Sequence, residues 1–184
     1  MSVDELTLRA DQATRRAADL YRRLEGRDEE FLERERSKQV SRRRFSALVE
    51  RIRESGTPYG AHTIVYRPTG EVLLVRHEGV DMWVLPGGRL DRHESALEGA
   101  RRELAEEAGV DVSYDGLAIL TRIDLETRGY RTWGVLPIFE ARAETTDPEV
   151  DDPDGEISAA RWFETLPADT RDREDLLAWR RDRF

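Results

Sequence analysis

The first 55 residues of the chain carry apolar side chains at helical spacing. Spacings of seven, four, three and four residues place one group on a single stripe of a helix: Leu6, Ala13, Ala17, Leu20 and Leu24. A second stretch, from about Asp28 to Glu54, has apolar residues near both ends and a charged middle, and Gly26 separates the two stretches. We therefore predict an N-terminal helical hairpin over residues 1–55, which packs on the rest of the chain or on a second subunit.

The pattern changes after the turn-forming segment of residues 55–60, so we predict a separate domain over residues 56–184. Alternating patterns predict strands at 61–67 and 71–78, joined by a turn, and further strands at 117–126, 131–143 and 158–163. Helices are predicted at 95–108 and 170–184. Strands and helices mix without regular βαβ alternation, which predicts an α+β fold and argues against a Rossmann sheet.

Composition and charge exclude several classes of function. Asp and Glu total 39 against 30 Lys and Arg, which gives a formal charge of −9, and Lys38 is the only lysine. This balance disfavours broad nucleic-acid binding through a basic surface. It fits either adaptation to high salt or a GC-rich coding sequence. The absence of Cys excludes thiolate metal sites and cysteine nucleophiles.

The chain carries no pattern of a membrane protein or a secreted one. Its start lacks the apolar core of a secretory signal, and no stretch approaches the roughly 20 apolar residues that span a bilayer. We expect a cytoplasmic protein that does not associate with membranes.

The most informative stretch runs from Gly88 to Val110. Ser95 and Glu98 form a capping-box pattern, which predicts that a helix begins at Ser95. Apolar residues at spacings of three and four form the face of this helix that points to the core: Leu97, Ala100, Leu104 and Ala108. Three carboxylates lie off that face, close to one another: Glu103, Glu106 and Glu107.

This cluster of acids is unfavourable in an ordinary helix. Like charges four residues apart repel by a few tenths of a kcal/mol, and negative charge late in a helix opposes the helix dipole. Arg101 and Arg102 offset part of this cost, and a bound hard cation would offset the rest. Mg²⁺ prefers carboxylate oxygens and is often shared with substrate phosphates. Taken alone, the cluster also fits a solvated acidic face of a helix.

The spacing around the cluster resembles the Nudix box. Gly88 is followed after five residues by Glu94, and after seven more by a run that matches the rest of the box: Arg102, Glu103, Leu104, Glu106, Glu107 and Gly109. The resemblance covers about residues 59–167 and leaves the N-terminal hairpin outside. It implies the Nudix α/β/α sandwich with a mixed sheet. It also implies an enzyme that uses Mg²⁺, with Mn²⁺ as a substitute, to hydrolyse a diphosphate bond in a small nucleotide substrate.

The resemblance also implies roles for single residues of the box. Glu103 and Glu107 are the expected main metal ligands, Glu106 lies in or beside the coordination shell, and Gly88 adds its backbone carbonyl. Arg102 is expected to hold the glutamates in place, and Glu94 to pair within the motif. We therefore take Glu103, Glu106 and Arg102 as catalytic candidates.

The general base is left open, because Nudix enzymes take it either from the box or from a later acidic loop. In that loop Glu156 is our candidate, since it follows a turn and precedes Trp162 and Phe163. The rivals are other acids of the same loop: Asp151, Asp152 and Asp154. The loop also fits a simple solvated segment. The three histidines lack ligand spacing, and we expect each to be structural or exposed: His62, His77 and His93.

The box does not determine the substrate. We prefer a nucleoside diphosphate linked to a second group, with ADP-ribose as the leading guess, although Leu125 stands where many ADP-ribose hydrolases carry proline. The alternatives are a nucleoside triphosphate pyrophosphohydrolase and a non-catalytic nucleotide-binding regulator. The hairpin is expected to form a homodimer interface or to cover the substrate cleft. A less favoured interpretation of Arg42, Arg43 and Arg44 is a phosphate clamp.

Overall fold

The computed structural model of the protein describes residues 2–27 and 30–184. Helices and strands alternate irregularly along this part of the chain. In order they are α1 (Val3–Glu25), β1 (Leu32–Gln39), α2 (Arg42–Ser55), β2 (Ala61–Tyr66), β3 (Val72–His77), β4 (Met82–Val84), β5 (Gly87–Gly88), α3 (Ala96–Glu107), β6 (Val112–Thr127), β7 (Tyr130–Ala143), β8 (Ile157–Phe163) and α4 (Arg173–Arg183).

The strands form one mixed sheet. Its order is β1-β6-β7-β2-β3-β4, with β5 paired to β2 and β8 paired to β3. The pairs β1–β6 and β2–β7 are parallel, whereas β6–β7, β2–β3 and β3–β8 are antiparallel. The predicted α+β fold with a mixed sheet is confirmed.

Helices cover both faces of this sheet. Buried residues of α1, α2 and the start of α3 share one apolar cluster with Leu117 of β6 and Phe139 of β7. Leu176 and Trp179 of α4 belong to a second cluster, with Ile64 of β2 and Ile138 of β7. Ile138 and Phe139 are neighbours on β7, so their side chains point to opposite faces of the sheet. Ile138 packs with α4, whereas Phe139 packs with α1, α2 and α3. Helix α4 therefore lies on the face opposite the other three helices.

The apolar stripe of α1 is buried within the same chain. Leu6, Ala13 and Ala17 are almost inaccessible to solvent, and they share a cluster with Phe45 and Leu48 of α2. The two helices also join through charge, because Arg9 of α1 donates to Glu50 of α2 at 2.6 Å. The prediction that the stripe packs on the rest of the chain is confirmed, and the stripe no longer argues for a second subunit.

The predicted second helix of the hairpin is wrong over its first half. Residues 32–39 form β1, an edge strand that pairs in parallel with β6, and α2 begins only at Arg42. Asp28 and Glu29, where that helix was predicted to begin, lie outside the described residues. The charged side chains of β1 alternate between the two faces of the sheet. Arg34 donates to Asp175 of α4 at 3.0 Å, and Glu33 accepts a bond from Tyr21 of α1 at 3.0 Å.

The remaining predicted elements appear near their expected positions. The strands at 61–67 and 71–78 correspond to β2 and β3, and the helices at 95–108 and 170–184 correspond to α3 and α4. Two short strands, β4 and β5, lie between β3 and α3, where no strand was predicted. In the part of the chain that the structure describes, no helix combines the length and apolar character needed to cross a membrane.

Candidate active site

The candidate site is built on α3, and the sequence determines where this helix begins. The Ser95 side chain accepts a bond from the Glu98 backbone N–H at 3.2 Å, and the Glu98 carboxylate accepts one from the Ser95 backbone N–H at 2.7 Å. This is the predicted capping box, and it fixes the first turn of the helix. Ala100 and Leu104 are buried against the sheet. The start and the rotation of α3 are therefore both set by residues of the box.

Arg102 connects the carboxylates of the box. Its Nε donates to Glu94 at 2.7 Å, and its Nη1 donates to Glu103 at 2.9 Å and to Glu106 at 3.4 Å. Its Nη2 donates to the backbone oxygen of Arg89 at 2.9 Å. A planar guanidinium with several fixed donors can make these contacts at once, whereas an ammonium group cannot. The predicted positions of Arg102 and Glu94 within the motif agree with this geometry.

Glu107 is the most buried carboxylate of the three, with 7% of its surface exposed. Its carboxylate accepts a bond from the backbone N–H of Gly87 at 2.9 Å. Burial raises the pKa of Glu107 to about 8, and the charges of Glu103, Asp152 and Glu156 act in the same direction. Burial also raises the pKa of Glu103, against the lowering effect of Arg102. A buried acid surrounded by other acids is thus unfavourable as an anion unless a cation lies nearby.

Gly88 lies directly beside the Glu103 carboxylate. A Cβ added at Gly88 would come within 2.7 Å of the carboxyl carbon of Glu103, so only glycine leaves this space free. Gly88 also pairs with Ala61 of β2, and its carbonyl oxygen lies against Gly60, where an added Cβ would come within 1.5 Å of it. Close packing of β2 on β5 thus positions Gly88 at the base of the carboxylate cluster.

The acidic loop of residues 147–156 is attached to the C-terminal end of α3. The backbone N–H of Asp151 donates to the Glu106 carbonyl at 2.8 Å, and that of Glu149 donates to the Ala108 carbonyl at 2.7 Å. The Asp152 carboxylate accepts bonds from the backbone N–H groups of Glu156 at 2.7 Å and of Ile157 at 2.9 Å. The loop therefore brings further carboxylates near the box.

Glu156 is exposed, and its carboxylate lies 3.3 Å from Nε2 of His77. β8 begins directly after Glu156 and runs antiparallel to β3, so that Ile157 pairs with His77. Of the rivals for the role of base, Asp152 is occupied by backbone N–H groups, and Asp154 acts on Glu103 through its charge. The contact of His77 with Glu156 could not be predicted from the sequence, because it depends on the pairing of two distant strands.

The residues of the box fit a hard divalent cation by their chemistry. They offer carboxylate oxygens, which Mg²⁺ and Mn²⁺ prefer, in a half-buried place where Arg102 offsets only part of the negative charge. As the side chains stand, no three or more Asp, Glu or His residues among 2–27 and 30–184 are arranged so that they could hold a metal ion. Arg102 holds Glu103 and Glu106, and the backbone of Gly87 holds Glu107.

The aromatic residues Trp83, Tyr130 and Trp133 are partly buried and pack against the core. Trp83 packs edge-on against Phe163, with ring centroids 4.8 Å apart. Trp133 contacts Tyr21 of α1, and Tyr130 contacts Phe45 of α2, each with centroids 6.2 Å apart. The contacts of Trp133 and Tyr130 attach the N-terminal helices to the sheet.

Comparison with known proteins gives relatives of part of the chain. A Bacillus subtilis (strain 168) protein named "Putative 8-oxo-dGTP diphosphatase" is 34% identical over 89 residues, which cover 48% of this chain and 60% of that protein. An 8-oxo-dGDP phosphatase from Danio rerio is 39% identical over 56 residues, which cover 29% of this chain and 17% of that protein. The chain thus spans less than two thirds of the length of either relative.

Among solved structures, the MutT NUDIX hydrolase from Burkholderia pseudomallei is similar, with a TM-score of 0.48 and 26% identity; the match covers 64% of this chain and 94% of that one. The profile of the NUDIX domain family matches residues 56–181, which include the box, the acidic loop and most of the sheet. Because this match extends over more than half of the chain, the chain belongs to the NUDIX domain family.

Proposed function

We propose that the protein hydrolyses a diphosphate bond in a nucleotide and needs Mg²⁺ or Mn²⁺ to do so. The observation that carries this proposal is the group of three carboxylates on α3, those of Glu103, Glu106 and Glu107. Arg102 donates hydrogen bonds to the first two of them. The complete box and the family match support a catalytic role over a purely regulatory one.

Glu103, Glu107 and Glu106 would hold the metal, with the Gly88 carbonyl as a further candidate ligand. When bound, the metal neutralises the diphosphate and lowers the pKa of water. Arg102 positions Glu103 and Glu106, because its guanidinium fixes both carboxylates relative to Glu94. Glu107 is positioned separately, through the backbone of Gly87. The three carboxylates are thus held by two separate contacts, the Arg102 guanidinium and the Gly87 backbone.

A general base must take a proton from the attacking water. We propose Glu156 for this role, because it is exposed, lies at the end of the acidic loop and contributes charge at Glu107. His77 beside it would orient the carboxylate. A glutamate of the box is the alternative base.

For the substrate we propose a nucleoside diphosphate linked to another group, with ADP-ribose as the leading single candidate. A nucleoside triphosphate is the second candidate, and one observation favours it: the Bacillus subtilis relative carries 8-oxo-dGTP in its name. Both substrates contain the diphosphate unit that the proposed site handles, and they differ in what lies beyond it.

The test is hydrolysis of a nucleotide panel by the purified full chain, with Mg²⁺, with Mn²⁺ and with excess EDTA. The panel contains ADP-ribose, other nucleoside diphosphate conjugates and nucleoside triphosphates, including 8-oxo-dGTP. Glu107→Gln keeps the shape of the side chain and removes its charge, so we expect kcat to fall at least about a hundredfold with the fold intact. The matched control is Glu164→Gln, an exposed glutamate beyond β8. Full activity in EDTA, or wild-type turnover by Glu107→Gln, would refute the metal assignment.

A further inference from the structure

A cavity of about 660 Å³ lies between the N-terminal helices and the box. The C-terminal halves of α1 and α2 form one wall, and residues 89–95 of the loop before α3, with residues 96–98 at the start of α3, form the other. Gly60 also lines it and lies against Gly88 and Arg89. The cavity therefore begins one residue from Gly88, at the edge of the proposed metal site. Its volume is in the range of small-molecule sites, about 300–1,000 Å³.

The walls of this cavity are rich in arginine. Six arginines line it: Arg16, Arg23, Arg27, Arg51, Arg89 and Arg92. Within residues 2–27 and 30–184, none of the six forms an ion pair with a carboxylate, although the protein carries a formal charge of −9. Arginines that could pair with abundant surface acids are instead gathered around one empty space.

The acids that line the cavity are mostly engaged elsewhere. Glu94 and Asp91 pair with Arg102, which lies outside the cavity. Glu98 accepts the backbone N–H of Ser95 in the capping box. Only Glu54 among the acidic lining residues has no such partner in the described part of the chain. Six arginines therefore line the cavity against four carboxylates, and the formal charge of the lining is positive.

Of the six arginines that line the cavity, Arg51 lies in the least favourable place for a positive charge. Its guanidinium is partly buried, and its one side-chain hydrogen bond to the described residues is a long contact of 3.5 Å to the Pro58 carbonyl. Burial lowers its pKa, and the neighbouring charges of Arg89 and Arg44 lower it further. A partly buried cation beside two other cations is unfavourable in the free protein. An anion placed between Arg51 and Arg89 would relieve this repulsion.

We propose that the arginine-lined cavity binds a phosphate group of a nucleotide. The guanidinium group suits phosphate, because it presents parallel N–H donors that match two phosphate oxygens. The choice of a nucleotide rests on the proposed function. Two sources share this chemistry: the far phosphate of the substrate held at the metal site, or a separate second nucleotide.

The test measures ADP and inorganic phosphate binding by calorimetry in excess EDTA, which removes metal-dependent binding at the box. The double variant Arg51→Gln/Arg89→Gln is compared with wild type and with Arg181→Gln. Arg181 is a matched control because it is an exposed arginine on α4, across the sheet from the cavity. We expect the double variant to weaken ADP binding at least about tenfold and the control to leave it unchanged. Arg89 is exposed, so Arg89→Gln alone provides a variant with little effect on folding.

Equal ADP affinity in wild type and the folded double variant would overturn the proposal, as would the absence of ADP binding to wild type at millimolar concentration. Hydrolysis assays then identify the source. If the substrate reaches the cavity, the double variant raises KM at unchanged kcat. If a second nucleotide binds there, KM stays constant, and added ADP changes the rate of wild type only. Because binding is measured in EDTA, a failure of the hydrolysis proposal would leave this test valid.

Discussion

At the scale of single residues, Arg102 determines the geometry of the candidate site. It is a half-buried cation that contacts Glu94, Glu103 and Glu106 and the Arg89 carbonyl together. Each bond between charged groups is worth more than a neutral one, and together they fix the rotation of the glutamates on α3. Glu156 is different in kind, because it is exposed and, among the residues that the structure describes, its side chain contacts only His77. A residue held so loosely is free to approach a water molecule.

We expect Glu156→Gln to lower kcat even at saturating Mg²⁺, because a base acts on the water and does not hold the ion. General-base catalysis contributes about 100- to 10,000-fold, so the loss should reach at least about a hundredfold. Steady-state kinetics across a Mg²⁺ titration measures both quantities. Asp147→Asn, which changes an exposed acid at the start of the same loop, is the control and should change kcat little.

The same Mg²⁺ titration can also contradict the prediction that Glu156 is the base. If Glu156→Gln shifts the Mg²⁺ concentration for half-maximal activity but leaves kcat at saturation intact, Glu156 is a metal ligand or supports one. The base would then belong to the box.

At the scale of secondary-structure elements, β1 shows how a charged segment becomes part of the sheet. Arg34 and Arg36 on one face both bind Asp175 of α4, and Glu33 on the other face binds Tyr21 of α1. Asp175 is largely buried, with 9% of its surface exposed. The edge strand thereby connects helices on opposite faces of the sheet, and its charges replace the apolar contacts that an inner strand would use.

We expect Asp175→Asn to lower the free energy of unfolding by about 1–3 kcal/mol, because it leaves two arginines without their anion. Chemical denaturation followed by circular dichroism measures the change. Glu174→Gln is the neighbouring control: it removes an exposed charge whose nearest partner is Arg173 at 3.8 Å, and should cost at most about 0.5 kcal/mol. Equal stability of Asp175→Asn and wild type would show that β1 is held by its backbone pairing alone.

The elements that the sequence predicted are those whose signals are local. α3 follows from the capping box of Ser95 and Glu98 and from a short apolar repeat, all within one segment. β1 was missed because its strand character depends on pairing with β6, far along the chain, and its own residues show no apolar alternation. The same reason explains the unforeseen contact of His77 with Glu156 and the arginine-lined cavity. The positions of the box glutamates were predicted from spacing, whereas their bonds to Arg102 needed the fold.

At the scale of the whole molecule, the N-terminal segment is part of the main fold. α1 packs on β7, β1 extends the sheet, and α1 and α2 share a core with Leu120, Leu125 and Val135 of the sheet. The NUDIX profile nevertheless begins at residue 56. We therefore retain the division into 1–55 and 56–184 as a proposal about domain organisation, and we propose that the two parts unfold together.

Deletion of residues 1–54 should abolish stable folding, because it exposes apolar residues of β6 and β7 that α1 and α2 now cover. Soluble yield, thermal unfolding and mass in solution measure this, with the full chain purified in parallel as control. A fragment that is soluble and unfolds cooperatively would contradict the prediction. Its mass and KM would then show whether the segment forms a homodimer interface or covers the substrate cleft, as we expected from sequence.

The parallel pairing of β1 with β6 also affects how the protein is made. Leu32 pairs with Ile119, so the edge strand leaves the ribosome long before its partner exists. Until β6 has been made, only α2 can cover the apolar stripe of α1, and the backbone N–H and C=O groups of β1 lack their partners on β6. Contacts between residues this far apart in sequence slow folding and prolong the exposure of apolar surface that can aggregate. We expect the acidic and basic side chains of β1 to oppose aggregation of the unpaired strand during synthesis, because charged side chains block pairing with other strands.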